Sequence, residues 1–131
     1  MAKTNVGYVD GFVFAIAKKD LAAYRAMARL GARIWKKHGA LEYYECMGDD
    51  VKPKKGMSVP GGTNFIKMNN AKPSDTVWFS YITFKSKAHR DAVNAKVMKD
   101  PAMNDPKYAN MPMPLDMKRM AYGGFKVSVK G

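Results

Sequence analysis

Asp10 stands among Tyr8, Phe12 and Phe14, alternate positions that one face of an extended strand carries together. A carboxyl group among aromatic rings is poorly solvated, and burial raises its pKa toward the range where it can accept and return protons. Asp10 is therefore the first candidate for acid–base chemistry. The competing expectation is an aspartate near a strand start that reaches solvent or pairs with Arg119 or a lysine. His89, close behind Ser86, is the second candidate, since imidazole serves as acid, base or ligand and helix N-termini favour anions. The more ordinary expectation there is a first-turn histidine that packs its ring or bonds backbone. His38 and His89 are the only histidines, they fall on different expected helices, and no metal-ligand spacing links them, so no metal site is expected. Cys46 is the single cysteine. It can form no intrachain disulfide or thiolate zinc site, and with no nearby histidine or helix N-terminus to activate it, a buried structural thiol is expected. No Gly-rich phosphate loop, nucleophile elbow or paired-carboxylate signature is present, and no cofactor is expected.

Aromatic residues supply a candidate pocket. If one face of the first and third strands lines the interior of a homodimeric barrel, Tyr8, Asp10, Phe12, Phe14, Phe79 and Tyr81 line it together, with Tyr43 and Arg119 added from neighbouring elements. Such a lining suits a small apolar or aromatic molecule, with Asp10 or His89 moving a proton and the tyrosines orienting a substrate oxygen. Phe79, Tyr81, Ile82 and Phe84 also match aromatic and apolar positions of the RNA-recognition octamer, whose domain shares the element order inferred below. The octamer's leading basic residue and glycine are Val77 and Trp78 here, and aromatic alternation suits any strand that faces a core. RNA binding is thus the alternative reading, and a dimeric interaction protein without pocket chemistry is a third.

Several elements must position these residues. Residues 8–17 read as a strand apolar at both odd and even positions apart from Asp10, hence covered on both faces. Residues 19–38 read as a helix ended by Gly39, with Tyr24, Met27, Ala28, Gly31, Ile34 and Trp35 as the buried stripe. Arg25, Arg29, Arg33 and Lys37 form a basic ridge on another face of that helix, most simply a solvated one. Residues 40–51 give a second strand, 52–75 an irregular loop, and 76–84 the clearest strand. Ser86 caps a second helix that reaches about Lys99, residues 101–118 are irregular and rich in Pro and Met, and 119–129 form a last strand bent or bulged at Gly123-Gly124.

The order is βαββαβ, the split-βαβ pattern of ferredoxin-like α+β folds, with an antiparallel sheet and two helices on one face. Two helices cover one face only, so strands apolar on both faces call for a second lid. A homodimer, closing a dimeric α/β barrel, supplies it. The 131 residues fit one domain, and a hydrophobic content of 47 % is enough for a real core. Lys and Arg total 23 against 11 acidic residues, a net charge of +12, which attracts anionic partners or serves solubility. The lysines are scattered without a run, which favours solubility. With no signal-like N-terminus, no apolar stretch of membrane-spanning length and one cysteine, a cytoplasmic protein without a membrane partner is expected.

A resemblance adds to this reading. Tyr8-Val9-Asp10-Gly11-Phe12, Gly39-Ala40-Leu41-Glu42-Tyr43 and Gly48-Asp49-Asp50-Val51 are its first segments. The run Ala88 to Met98, then Asp100-Pro101, Met111-Pro112, Lys118-Arg119-Met120 and Tyr122-Gly123-Gly124-Phe125 complete it. Together these resemble the YbaA-like proteins, a family of unknown function numbered 1428. The resemblance implies the dimeric α/β-barrel superfamily, which also holds cofactor-free monooxygenases, haem-degrading enzymes and small-molecule isomerases. It implies no catalytic set, and the loop at 52–75 departs from the expected pattern by its length and its Lys and Gly content.

Overall fold

Aromatic and β-branched side chains favour extended backbone, and two runs rich in them build the centre of the sheet. Strand β1 is Tyr8–Ala17 and strand β3 is Asp75–Phe84. They pair antiparallel along their whole length, from Tyr8 opposite Phe84 to Ala17 opposite Asp75. Strand β2, Glu42–Met47, flanks β3, and strand β4, Ala121–Lys126, flanks β1, giving a four-stranded sheet in the order β2-β3-β1-β4. All neighbours are antiparallel. Helix α1, Leu21–Lys37, joins β1 to β2, a short α2, Phe65–Met68, lies between β2 and β3, and α3, Lys87–Lys99, follows β3. The computed structural model describes residues 5–52, 62–105 and 114–131.

Register decides which side chains share a face, because residues directly opposite in an antiparallel pair point the same way. Even positions of β1 therefore fall with Trp78, Ser80, Ile82 and Phe84 of β3, with Tyr43 and Glu45 of β2, and with Tyr122 of β4. This is the helix-covered face. Ile34 of α1 and Val93 and Val97 of α3 pack with Ile82 and Phe84, while Tyr24 and Ala28 of α1 pack with Phe14, Ile16 and Trp78. The opposite face carries Val9, Gly11 and Val13, Tyr44 and Cys46, Phe79 and Tyr81, and Phe125. Tyr44, Cys46, Phe79 and Phe125 are exposed in the single chain.

The expected helix signals act as read. Gly39 adopts φ +114°, a left-handed value that suits glycine just beyond a helix. Ser86 Oγ accepts the His89 N–H at 3.1 Å, satisfying one of the free donors at the start of α3. Tyr24, Ala28, Gly31 and Ile34 form the buried stripe of α1; Met27 is exposed, and Trp35 is half-buried with Nε1 donating to Asn94 Oδ1. The ends of the two long helices meet at Asp100. Its carboxylate accepts the Ala102 N–H and contacts His38 Nε2 and Lys37 Nζ, and these bonds hold its pKa down at about 2.

Three expectations are corrected. Gly123-Gly124 makes no bulge, for β4 pairs with β1 residue by residue from Tyr8–Lys126 to Val13–Ala121. The glycines instead admit neighbours: a Cβ on Gly124 would collide with the Tyr8 ring, and one on Gly123 would meet Phe125. Cys46 is exposed rather than buried, because its register partner is Phe79 on the face that no helix covers. The second strand is shorter than 40–51. In the two loops, α2 is capped by the Asn64 side chain and a 3-10 turn occupies Met117–Arg119, while 53–61 and 106–113 lie outside the described residues.

Candidate functional site

Strand β2 alternates so that Tyr43 and Glu45 point toward α1, while Tyr44 and Cys46 point away. Helix α1 presents Ala28 and Gly31 opposite them, two residues too small to fill the space. A cavity of about 290 Å³ results between α1 and the sheet. Its walls are mostly apolar, from Phe12 and Phe14 of β1, Ile82 of β3 and Leu30 and Trp35 of α1, with Met103, Leu115 and Met120 from the segments flanking α3 and β4. The polar exceptions are Glu45 and the hydroxyls around it.

Glu45 is held by three O–H donors. Tyr24 donates to Oε2 at 2.8 Å, Tyr43 donates to Oε1 at 2.9 Å, and Ser80 Oγ also donates to Oε2. A carboxylate offers two acceptor positions per oxygen. Among the described residues both positions on Oε2 are filled, and one on Oε1 is open. No cation pairs with Glu45 among the described residues. Burial, reinforced by the adjacent carboxylate, pushes the phenols of Tyr24 and Tyr43 well above the usual tyrosine range, so both remain O–H donors through physiological pH. Behind Glu45 a shallower notch of about 250 Å³ is bordered by Arg25 and Arg29, so the basic ridge runs along one edge of the site.

Gly31 sets the closeness of helix to strand. A Cβ built there would stand 2.9 Å from the Tyr43 hydroxyl. An ordinary Gly→Ala change in a helix gains roughly 1 kcal/mol from propensity. Gly31→Ala is expected to forfeit that gain, because the methyl forces the Tyr43 hydroxyl away from Glu45. Urea denaturation checks it: an unchanged or lowered midpoint is expected, and a stabilisation of about 1 kcal/mol would show that the contact relaxes freely.

The residues singled out from sequence fall into separate places. Phe12, Phe14 and Tyr43 line the cavity, but Phe79 and Tyr81 do not share their face. They pair with Val13 and Gly11 on the open face, whereas Tyr8, Asp10, Phe12 and Phe14 face the helices, so the expected barrel-lining group of six is not assembled. Asp10 is on the helix-covered face, 2 % exposed, and accepts Arg90 at 2.7 Å. Asn94 supports the same carboxyl group, and Arg90 also lies over the Tyr8 ring, 5.1 Å from its centroid, and donates to the Tyr122 hydroxyl. Burial raises the Asp10 pKa despite the opposing arginine. The expected solvent contact or bond to Arg119 is replaced by Arg90. Arg119 is at the far end of β3, bound to Asp75 at 2.7 Å. His89 Nδ1 accepts the Lys85 N–H at 2.9 Å and its ring stands edge-on to Phe84, the backbone-bonding arrangement of a first-turn histidine.

Glu45, Tyr24 and Ser80 are the site residues that sequence reasoning passed over. Tyr24 was visible as part of the helix stripe, but Glu45 and Ser80 are single polar residues whose direction depends on the β2–β3 register. Among the described residues no group of three His, Cys, Asp or Glu is arranged to hold a metal ion, and no helix is long and apolar enough to cross a membrane.

Known proteins place the chain in a family. The pattern of the family described as "Protein of unknown function (DUF1428)" matches residues 7–117. The chain is 43 % identical over 119 residues to "Uncharacterized protein YbaA" of Escherichia coli K12, an alignment covering 91 % of this chain and 94 % of that protein. The protein of the same name from Shigella flexneri matches to the same extent. The chain therefore belongs to the DUF1428 family.

Proposed function

We propose that this DUF1428 protein is a ferredoxin-like domain that pairs through its open sheet face into a homodimeric α/β barrel and binds a small apolar or aromatic molecule between α1 and the sheet. The observation that carries the ligand reading is the apolar cavity of about 290 Å³ with a hydroxyl-bound carboxylate in its wall. An apolar cavity of about 150 Å³ accepts benzene, so roughly twice that volume suits a molecule of one or two rings. Apolar walls with a few converging polar groups are the usual make-up of small-molecule sites. The dimer reading rests on Tyr44, Phe79 and Phe125 lying exposed together with the half-buried Tyr81, an aromatic surface of the kind that marks an interface.

If the protein is an enzyme, Glu45 is better placed than Asp10 or His89 to exchange a proton with a bound molecule. Asp10 is sealed against Arg90, and the imidazole of His89 is engaged with backbone. Proton removal is a step that cofactor-independent oxygenation and isomerisation share, and a carboxylate in a cavity is equipped for it.

RNA binding is the second reading, favoured by the exposed Phe79 and the neighbouring Tyr81. It needs cations beside the stacking rings. The strand residues of the open face include no Lys or Arg, and the Arg25–Arg29–Arg33 ridge is on α1, across the sheet from the aromatics. That ridge and the exposed rings are thus on opposite sides of the sheet.

Calorimetric titration with two-ring aromatics tests the cavity. Benzofuran or indole is expected to bind the native protein at submillimolar Kd, and Ala28→Phe, which fills the space, is expected to weaken binding at least tenfold. Absence of binding to the native protein, or equal binding to the filled variant, would contradict the proposal.

A further inference from the structure

Resting on the cavity reading above, the geometry points to a more definite ligand class: we propose that the cavity selects a one- or two-ring molecule carrying an N–H or O–H donor, recognised by the open acceptor position on Glu45 Oε1. Three of the four acceptor positions of this carboxylate are filled from the protein, by Tyr24 and Ser80 on Oε2 and by Tyr43 on Oε1. These bonds fix the group in one orientation, so the fourth position is preorganised. A ligand donor that takes this position makes a hydrogen bond to a charged group, which is stronger than one between neutral groups. Among the described residues the surrounding walls offer the ligand few other polar groups. Tyr24 and Tyr43 already donate to Glu45, and the remaining lining is chiefly aromatic, Leu, Ile and Met.

A donor on the ligand therefore finds its one charged acceptor in Glu45, the neighbouring hydroxyl oxygens being neutral and weaker acceptors. A site built to hydrogen-bond a ligand N–H discriminates strongly against the analogue that lacks it. An acceptor-only or anionic head group is disfavoured in the same place, because it would face the carboxylate.

Indole and benzofuran separate this inference from the cavity reading, since they share shape and size but only indole has a ring N–H. Native protein is expected to bind indole at least tenfold more tightly than benzofuran by titration calorimetry. Glu45→Gln is expected to bring the two within about threefold, since the charge-assisted bond becomes a neutral one. Tyr43→Phe vacates a second position on Oε1 and is expected to keep the preference for indole; it also serves if Glu45→Gln does not fold. Equal binding of the two by native protein would overturn the donor inference while leaving the cavity reading intact. A preference that survives Glu45→Gln, or disappears in Tyr43→Phe, would assign recognition to another group and overturn it as well. Binding of neither compound would overturn both readings.

Discussion

Arg90→Met is expected to destabilise the protein by about 3–5 kcal/mol at neutral pH, the cost of leaving one partner of a buried ion pair uncompensated. Asp10 is 2 % exposed and the Arg90 side chain 14 %, so water cannot replace the guanidinium. The sign of the pH dependence follows from burial. In the native protein the Asp10 pKa already lies above its ordinary value of 3.8, with Arg90 opposing that rise. Without Arg90 the folded-state pKa climbs further, while the unfolded value stays near 3.8. The folded state then holds a proton that the unfolded state has released, so stability falls as pH rises from about 4 through the folded-state pKa. Below pH 4 both states are protonated and most of the deficit should vanish, leaving the packing of Arg90 over Tyr8. Urea unfolding at pH values from about 2.5 to 8 reads both features. Asp10→Asn in the Arg90→Met background should recover much of the loss at neutral pH. A deficit under about 1 kcal/mol that does not vary with pH would show that the pair behaves like a surface ion pair.

Phe79→Asp is expected to break the proposed homodimer into monomers while leaving the fold intact. Phe79 is 47 % exposed in the single chain and belongs to neither core cluster, so the helix-covered core does not depend on it. A two-fold interface would bury the new carboxylate in both copies, and each uncompensated charge costs several kcal/mol. The dimer Kd should therefore rise roughly a hundredfold or more. Light scattering after size exclusion gives the mass, and the single cysteine gives an independent reading. Cys46 is the register partner of Phe79 on the open face, so if the native protein pairs there its thiol should react slowly with a thiol reagent, and rapidly in Phe79→Asp. A native protein already monomeric at tens of micromolar would remove the dimer and bring base stacking on Tyr44, Phe79 and Tyr81 forward.

Much of the framework was legible because it is local. The aromatic and β-branched runs mark β1 and β3, Ser86 and Gly39 mark helix ends, and the stripe from Tyr24 to Ile34 marks the buried side of α1. The inward face of the sheet was not legible, since β1 is apolar at both parities and only pairing with β3 distinguishes them. Trp78 and Phe79 are adjacent in sequence and equally apolar, yet one is in the core and the other in solvent. The same dependence concealed Glu45, whose three hydroxyl partners come from α1, β2 and β3. Gly123 and Gly124 look like a bend in isolation, because the side chains they admit, Tyr8 and Phe125, come from β1 and from β4 itself. Asp10 shares its strand face with Tyr8, Phe12 and Phe14, as alternation predicts, but its partner Arg90 is 80 positions away, on the first turn of α3.

Entry of a small molecule between α1 and the sheet should be visible in methyl spectra of protein labelled at its methionines. Met27, Met103 and Met120 line the cavity, whereas Met47, Met68, Met98 and Met117 are exposed and do not line it. Titration with indole should shift the first three signals along one saturating isotherm and leave the other four in place. No shift at saturating indole, or shifts centred on Met47 and Met68, would contradict binding in this cavity.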